Sequence, residues 1–529
     1  MANTGGAGAE AGSAQRDDSG AGAEMGGAHT GSSGAGAEAG GTQRDDSGTG
    51  AFGGGAQLDG CGLQGGRSAP PCDADAALGG ADTLYGGIRA YSEKGAIPFH
   101  MPGHKLGKGF VPQGVFSDPA AFDLTELPRT DDLHMPRGMI LSAQRRAADA
   151  FGAGKTWFLV NGSSCGVHAM VMAACAPGHK LLIARNFHYS AWNAMCMARV
   201  RPIFVYAKPP PGHSGAAADA AMGSAGGGGG AAENAGAACG AEAFGSAFAE
   251  AFGAAGGVFE AGYAEAAIAA IRSHPDADAI FLTRPDYYGN ACDIAPIVDA
   301  AHSYGLPVLV DEAHGAHLCF SGRLPVSAME AGADICVQSA HKTLPAFTQG
   351  AYAHMSRRAL GGGGLEGRFE TALRALQTSS PSFLILSSLD YAREYMQKRG
   401  RRELDRVLDQ CEAFFAEMSA LGYGVPGGCG DSREGGADGG AAPIKRYSRD
   451  MTRLVLNTAR IGLSGSAVEN MLAERHNIAI EMSDPWHIVM ISTVADRDED
   501  FSKLKAALGQ IARGAGADGA GYAGAGGLG

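Results

Sequence analysis

The stretch Ile335-Cys-Val-Gln-Ser-Ala-His-Lys-Thr-Leu-Pro-Ala-Phe-Thr-Gln-Gly350 sets one lysine, Lys342, after an apolar run and just before a turn that contains proline. A lysine amine is protonated at neutral pH and is a poor nucleophile. Covalent work therefore requires a site that lowers its pKa or gives it a carbonyl to condense with. Taken alone, Lys342 reads first as a solvated surface residue.

The stretch Leu306-Pro-Val-Leu-Val-Asp-Glu-Ala-His-Gly-Ala-His317 changes that reading, because a buried-type strand runs straight into a cluster of ionisable side chains with Asp311 at its end. From Asp311 to Lys342 the pattern reads strand, loop, short helix over Val326–Ala331, strand. That is one right-handed crossover of a parallel sheet. Both residues then face the edge outside the carboxyl ends of the strands, where ligands sit in open α/β sheets. A lysine for a Schiff base and an acid for a pyridinium nitrogen are what pyridoxal phosphate requires of its protein, so that cofactor is expected here.

Working outward, strand and helix alternate from about Trp157 to Lys342, which specifies a mainly parallel sheet wrapped by helices. Lys155-Thr-Trp-Phe-Leu-Val-Asn-Gly-Ser-Ser-Cys-Gly166 gives a strand, a small polar turn and a helix start. The free N–H groups there, with the Ser163 and Ser164 hydroxyls, form a cup for a dianionic phosphate. Leu181-Leu-Ile-Ala-Arg-Asn-Phe-His-Tyr-Ser190 delivers His188 to the same edge, where an imidazole can lie flat on a cofactor ring or serve as a structural group. Ala279-Ile-Phe-Leu-Thr-Arg-Pro-Asp-Tyr-Tyr-Gly289 is another strand with a polar end.

Beyond Lys342 the pattern changes. Leu404, Val407, Leu408, Cys411, Phe414, Phe415, Met418 and Leu421 make a helical apolar stripe. Strands are expected over Arg453–Thr458, Ile478–Met482 and Ile488–Thr493, with a Ser466/Glu469 capping box opening the helix between the first two. The expected fold class is α/β: a large domain with a mainly parallel sheet and a smaller C-terminal α+β domain. The expected boundaries are a low-complexity tail over 1–82, the large domain over 83–385, the small domain over 386–514 and a second tail over 515–529.

The 84 glycines of the 529 residues concentrate in those tails, in a Gly/Ala-rich insertion over 212–257 and around 427–442, segments too polar to offset ordering entropy. Of the formal net charge of −13, residues 1–80 carry −7, so the folded part is only mildly acidic. There is no basic patch with interleaved aromatics, no apolar run of membrane-spanning length and no signal peptide. Nucleic acid and membrane partners are not expected, and the expected location is cytoplasmic. The eleven cysteines are scattered, mostly in apolar segments, and read as buried reduced thiols. His100 and His104 lie on an irregular loop without a third ligand, so no metal site is expected.

Gly162-Ser-Ser-Cys-Gly166 also matches the G-x-S-x-G nucleophile elbow. That reading makes Ser164 a hydrolase nucleophile served by Asp311 and either His314 or His487. It leaves Lys342 without a role. Two further alternatives keep the cofactor: an aminotransferase or lyase of the same fold, and an inactive binding protein.

In their order, Pro98-Phe-His-Met-Pro-Gly-His-Lys105, Phe158-Leu-Val-Asn-Gly-Ser-Ser164, Asp311-Glu-Ala-His-Gly-Ala-His317, Ser339-Ala-His-Lys-Thr343 and Thr378-Ser-Ser-Pro381 resemble the bacterial ornithine/lysine/arginine decarboxylase family. These are fold type I pyridoxal phosphate enzymes, and the length resembles the short members that lack an N-terminal wing domain. The resemblance covers about Thr83 to Arg513. It implies that Lys342 carries the cofactor, Asp311 pairs with the pyridine nitrogen, His188 stacks on the ring, and Ser163, Ser164, Ser339 and His341 serve the phosphate. His314 is placed near the ring or substrate, and Glu481 aligns with an acid that reaches the distal cation of a basic amino acid. Tyr189 departs from the usual histidine-lysine-serine. The implied reaction is decarboxylation of arginine, lysine or ornithine by a homodimer or higher homo-oligomer. An aminotransferase would clamp the α-carboxylate with an arginine from the small domain; Arg460 is available, but the Gly462, Ser464 and Gly465 that follow mark it as a turn residue.

Overall fold

The computed structural model describes residues 78, 80, 82–95, 98, 100–102, 104–108, 117–184, 186–205, 263–361, 363–426 and 449–518. Apart from residues 78, 80 and 82, the expected tail over 1–82 lies outside the described residues, as do the insertion over 212–257 and residues 519–529.

Seven strands form one sheet: β1 (Lys155–Leu159), β2 (Lys180–Ala184), β3 (Arg201–Val205), β4 (Ala279–Thr283), β5 (Val308–Asp311), β6 (Ile335–Ser339) and β7 (Ala351–Met355), in the order β1-β7-β6-β5-β4-β2-β3. β7 is antiparallel to both neighbours, and every other pair is parallel. The strands read as continuous apolar runs because both faces are covered. Leu181, Ile183, Phe281 and Val337 point to the face covered by helices Gly162–Ala174, Tyr189–Ala198 and Leu365–Leu376. Leu182, Ile280, Leu282 and Cys336 alternate to the opposite face, under helices Tyr263–Ser273 and Ala295–Ser303. The first helix lies close: a Cβ at Gly166 would come within 2.7 Å of Leu159 and 2.9 Å of Val337. This is the mainly parallel α/β fold that the alternation predicts.

A second, antiparallel sheet has the order β8-β10-β9, from β8 (Arg453–Asn457), β9 (Met482–Ser483) and β10 (His487–Ile491). Helix Arg401–Ala420 buries Leu404, Val407, Leu408, Cys411, Phe414, Phe415 and Met418, the stripe read from sequence. It continues helix Phe383–Tyr395 through a π turn at Met396–Gly400, and the proposed domain division at residues 385 and 386 falls within the first turn of helix Phe383–Tyr395.

Three local expectations are corrected. The expected helix over 326–331 is a turn over 328–332, closed by Ala331 N–H donating to Ser327 O at 2.9 Å and stopped by Gly332 at φ +90°. The expected strand over Ile478–Met482 shrinks to Met482–Ser483, because Asn477 at φ +53° turns the chain and the Ile478 N–H donates back to Leu472 O. Ser464, not Ser466, caps helix Gly465–His476 by accepting from Ala467 N–H, while Glu469 accepts from Ser483. The last helix spans Asp498–Asp518.

Candidate active site

β5 and β6 are adjacent and in register, with Asp311 opposite Val337, so their carboxyl ends open on one edge. Asp311 is buried there. Among the described residues its side chain accepts one hydrogen bond, from Ala313 N–H at 3.0 Å, which leaves acceptor capacity free. Three residues past β6, in the single helical turn Ala340–Thr343, stands Lys342. Burial pushes the Asp311 carboxyl up and Lys342 opposes it. Burial likewise lowers the basicity of Lys342, against the pull of Asp311. Burial wins at both groups, and each only partly offsets the penalty on the other's charge.

His314, in the loop after β5, reaches Lys342 Nζ through Nε2 at 3.1 Å. Its Nδ1 accepts from Arg453 Nη2 at 2.9 Å, and the same nitrogen donates to His314 O at 3.3 Å. Burial holds the imidazole down to about 2, with Lys342 and Arg453 adding to the effect, so the ring is neutral. Arg453 comes from β8, whose entry is tied to the loop after β4 by Asp450 N–H to Gly289 O at 2.8 Å and by Arg449 to Asn290 and Tyr288 O. Gly289 is required there: at φ +89° a Cβ would lie 2.7 Å from Arg453 Cβ. Tyr287, from the same loop, packs edge-on against His314 at 4.7 Å and donates to Glu481 Oε1 at 2.7 Å. Burial and that carboxylate push the Tyr287 phenol to about 12. Glu481 lies in the bend before β9, with its N–H donating to Val489 O.

At the carboxyl end of β1, helix Gly162–Ala174 starts without a side-chain cap. Ser339, the last residue of β6, donates to Ser163 Oγ at 2.7 Å, which joins the helix start to the Lys342 turn. His341 bonds Gly350 O at 3.0 Å through Nδ1. Gln377 and Thr378 brace the same place: Gln377 Oε1 accepts from Val160 N–H, and Thr378 N–H donates to Asn161 Oδ1. Ser164 lies in the first turn of that helix.

His188 caps helix Tyr189–Ala198, with Nδ1 accepting from Ser190 N–H at 3.2 Å and facing Ser190 Oγ at 2.9 Å. Burial, helped by Lys342, holds the ring down to about 4, so it is uncharged at neutral pH. Tyr189 packs on it at 4.1 Å.

The geometry does not support the hydrolase reading. Both His314 nitrogens are engaged by Arg453 and Lys342, and His487 bonds Asp484 and Asn457 on the small sheet. Arg460 is exposed in the turn Ala459–Ile461, as its glycine-rich context predicts. Among the described residues no three His, Cys, Asp or Glu side chains group as a metal site, and His104 contacts Asp123 at 3.1 Å. Cys165, Cys175, Cys336 and Cys411 are buried, and Cys196 is exposed where burial is expected. Arg453 and Tyr287 were missed as site residues. The available signal for Arg453 was a guanidinium at the head of an otherwise buried strand; for Tyr287 it was the polar end of β4.

A profile described as Orn/Lys/Arg decarboxylase, major domain, matches residues 82–215 and 244–424. The chain belongs to the Orn/Lys/Arg decarboxylase family, a family of amino-acid decarboxylases. Arginine decarboxylase of Bacillus subtilis (strain 168) is 34% identical over 433 residues, spanning 81% of this chain and 77% of that protein. Arginine decarboxylase of Bacillus cereus is 30% identical over 434 residues, spanning 81% and 82%. Among solved structures, lysine decarboxylase A from Pseudomonas aeruginosa superposes with a TM-score of 0.61 at 18% identity. The Francisella novicida lysine decarboxylase gives 0.60 at 18%. Each of these covers 82% of this chain, which spans 60% of their length. At that identity the likeness carries the fold, which for this Orn/Lys/Arg decarboxylase family member is fold type I.

Proposed function

We propose that the chain decarboxylates a basic amino acid, with arginine first in line because the similar Bacillus proteins are named arginine decarboxylases. The observation that carries this reading is the pairing of Lys342 and Asp311 at the ends of adjacent strands, beside an uncapped helix start furnished with serines. The residues fit pyridoxal phosphate. A buried carboxylate with free acceptor capacity suits a pyridinium N–H, an amine of lowered basicity suits a carbonyl, and the bonded Ser163 and Ser339, with Ser164 and His341 in the turns that follow them, suit a phosphate. When bound, that cofactor supplies a protonated conjugated ring that takes up the electron pair released as CO2 leaves.

The chain's own residues do the rest. Lys342 would hold the carbonyl of the cofactor through its amine of lowered basicity. Asp311 would keep a ring nitrogen protonated from a buried position, where its charge is little screened. The uncharged His188 would serve as the aromatic neighbour of the ring. Glu481, oriented by Tyr287, receives the distal cation of the substrate. Arg460 is exposed, and an α-carboxylate without an arginine clamp would suit loss of CO2.

The test is a panel of arginine, lysine and ornithine with the purified, cofactor-loaded protein. CO2 and the matching amine should form in equal amounts without a keto acid, and borohydride should fix the cofactor on Lys342. Amine formation that needs 2-oxoglutarate or pyruvate and evolves no CO2 would overturn the reaction, and label on a different lysine would overturn the site.

A further inference from the structure

Arg453 is wholly buried at the head of β8, and its single fixed side-chain partner among the described residues is Nδ1 of His314 at 2.9 Å. Its Nε and Nη1 are buried and without a partner there. The imidazole stands between two nitrogens, Arg453 Nη2 on one side and Lys342 Nζ at 3.1 Å on the other. A guanidinium only donates. Nδ1 must therefore be the acceptor, and the one proton of the neutral ring sits on Nε2, facing Lys342. Both contacts together also fix the ring orientation, since a flipped ring would offer carbon to each neighbour.

We propose that Arg453 is a positioning residue: by donating to Nδ1 it locks His314 with its proton on Nε2, so that Nε2–H donates to the lone pair of Lys342 and holds that amine uncharged. An ammonium at Nζ needs Nε2 as an acceptor. The ring could supply that only by moving its proton to Nδ1, where it would meet the Arg453 N–H head on. Protonation of Lys342 and the Arg453 contact are mutually exclusive. The other charged or titratable groups around Nζ are Asp311 from β5 and Glu481 before β9, which favour the ammonium, and His188 after β2, which is neutral. The relay therefore opposes two carboxylates. It rests on Lys342 being the reacting amine, for which a neutral lone pair is the condition of attack on a carbonyl.

The experiment uses full-length protein treated with hydroxylamine and dialysed, trace-labelled with acetic anhydride across a pH series, and reads Lys342 by peptide mass spectrometry against the exposed Lys503. Arg453→Met should raise the half-labelling pH of Lys342 by about one unit, roughly tenfold in proton affinity, and so should His314→Leu. The double variant should show no more than the His314→Leu shift, because Arg453 acts through the ring. Equal shifts from Arg453→Met with and without His314 would reduce Arg453 to a through-space charge and overturn the relay. Should these variants not fold, neutron diffraction on the unsubstituted protein decides: a proton on Nε2 of His314 supports the relay, and one on Nδ1 overturns it. Borohydride trapping on another lysine would defeat the functional reading, whereas additive shifts at a Lys342 that still traps the cofactor defeat the relay alone.

Discussion

Asp311 and Lys342 are each buried against their own charge, and each relieves the other. Replacing Asp311 with Asn keeps the shape and removes the charge that would hold a ring nitrogen protonated. CO2 release should fall by at least about a hundredfold with the fold intact, since a preorganised charge in a dry site is worth that much in the transition state. Steady-state kinetics with the preferred amino acid, beside a circular dichroism spectrum, checks it; a variant within tenfold of wild type would remove Asp311 from the chemistry. Glu481→Gln should raise the KM for a cationic substrate several-fold while borohydride trapping on Lys342 is unchanged, and an unaltered KM would detach Glu481 from the substrate. At this scale Lys342 and Asp311 were legible because each ends an apolar run. Arg453 was not, because its partner His314 lies 139 positions away and nothing in a local pattern reports a contact across that span.

Among the elements, the central strands were legible from their apolar runs, and one feature inside them was hidden. His354 on β7 is fully buried and bridges three strands. Thr156 of β1 meets its Nδ1 at 2.8 Å, and its Nε2 faces Gln338 Oε1 of β6 at 3.1 Å. Gln338 in turn donates to buried Glu312 at 2.7 Å, which pairs with Arg284 at 3.1 Å. Burial holds His354 down to about 3. A histidine whose folded pKa lies below its unfolded value binds fewer protons when folded. Its contribution is intact above about pH 6.5 and is lost progressively as pH falls toward 3. Lowering the pH from 7 to 5 should therefore cost about 2 kcal/mol of unfolding free energy at this site. Urea unfolding at both pH values should show a smaller pH dependence in His354→Gln than in wild type; equal slopes would show that His354 is not the sensitive group. The misread elements failed for local reasons. Ile478, Ile480 and Met482 alternate like a strand, yet the left-handed Asn477 and the bond from Ile478 N–H to Leu472 O bind that segment to the preceding helix.

For the molecule as a whole, the sequence made legible a large parallel sheet followed by a smaller α+β part. It did not reveal that the small sheet brings Arg453 to His314 beside Lys342, near the Glu481 that the family resemblance had implied. That meeting depends on the ties between residues 449–450 and the loop after β4, and on the room Gly289 leaves. Other segments near the site carry large apolar side chains into solvent. Phe347, five residues past Lys342, is 58% exposed, Tyr189 beside His188 is 53% exposed, and Met135 is 57% exposed. Met135 adjoins His134, whose ring bonds Thr378 O at 3.0 Å next to the helix start. Exposed apolar groups carried on loops that hold site residues mark a surface that gains by being covered, at about 1.5–3 kcal/mol for a side chain of this size fully buried. We therefore expect a second copy of the chain to cover this edge. Sedimentation of the full-length protein should give twice the chain mass of 53.7 kDa. Phe347→Glu should shift it toward the single chain with an unchanged circular dichroism spectrum, and CO2 release should fall with the loss of dimer. A wild-type protein that sediments as one chain and turns over at full rate would show that this edge is complete without a partner.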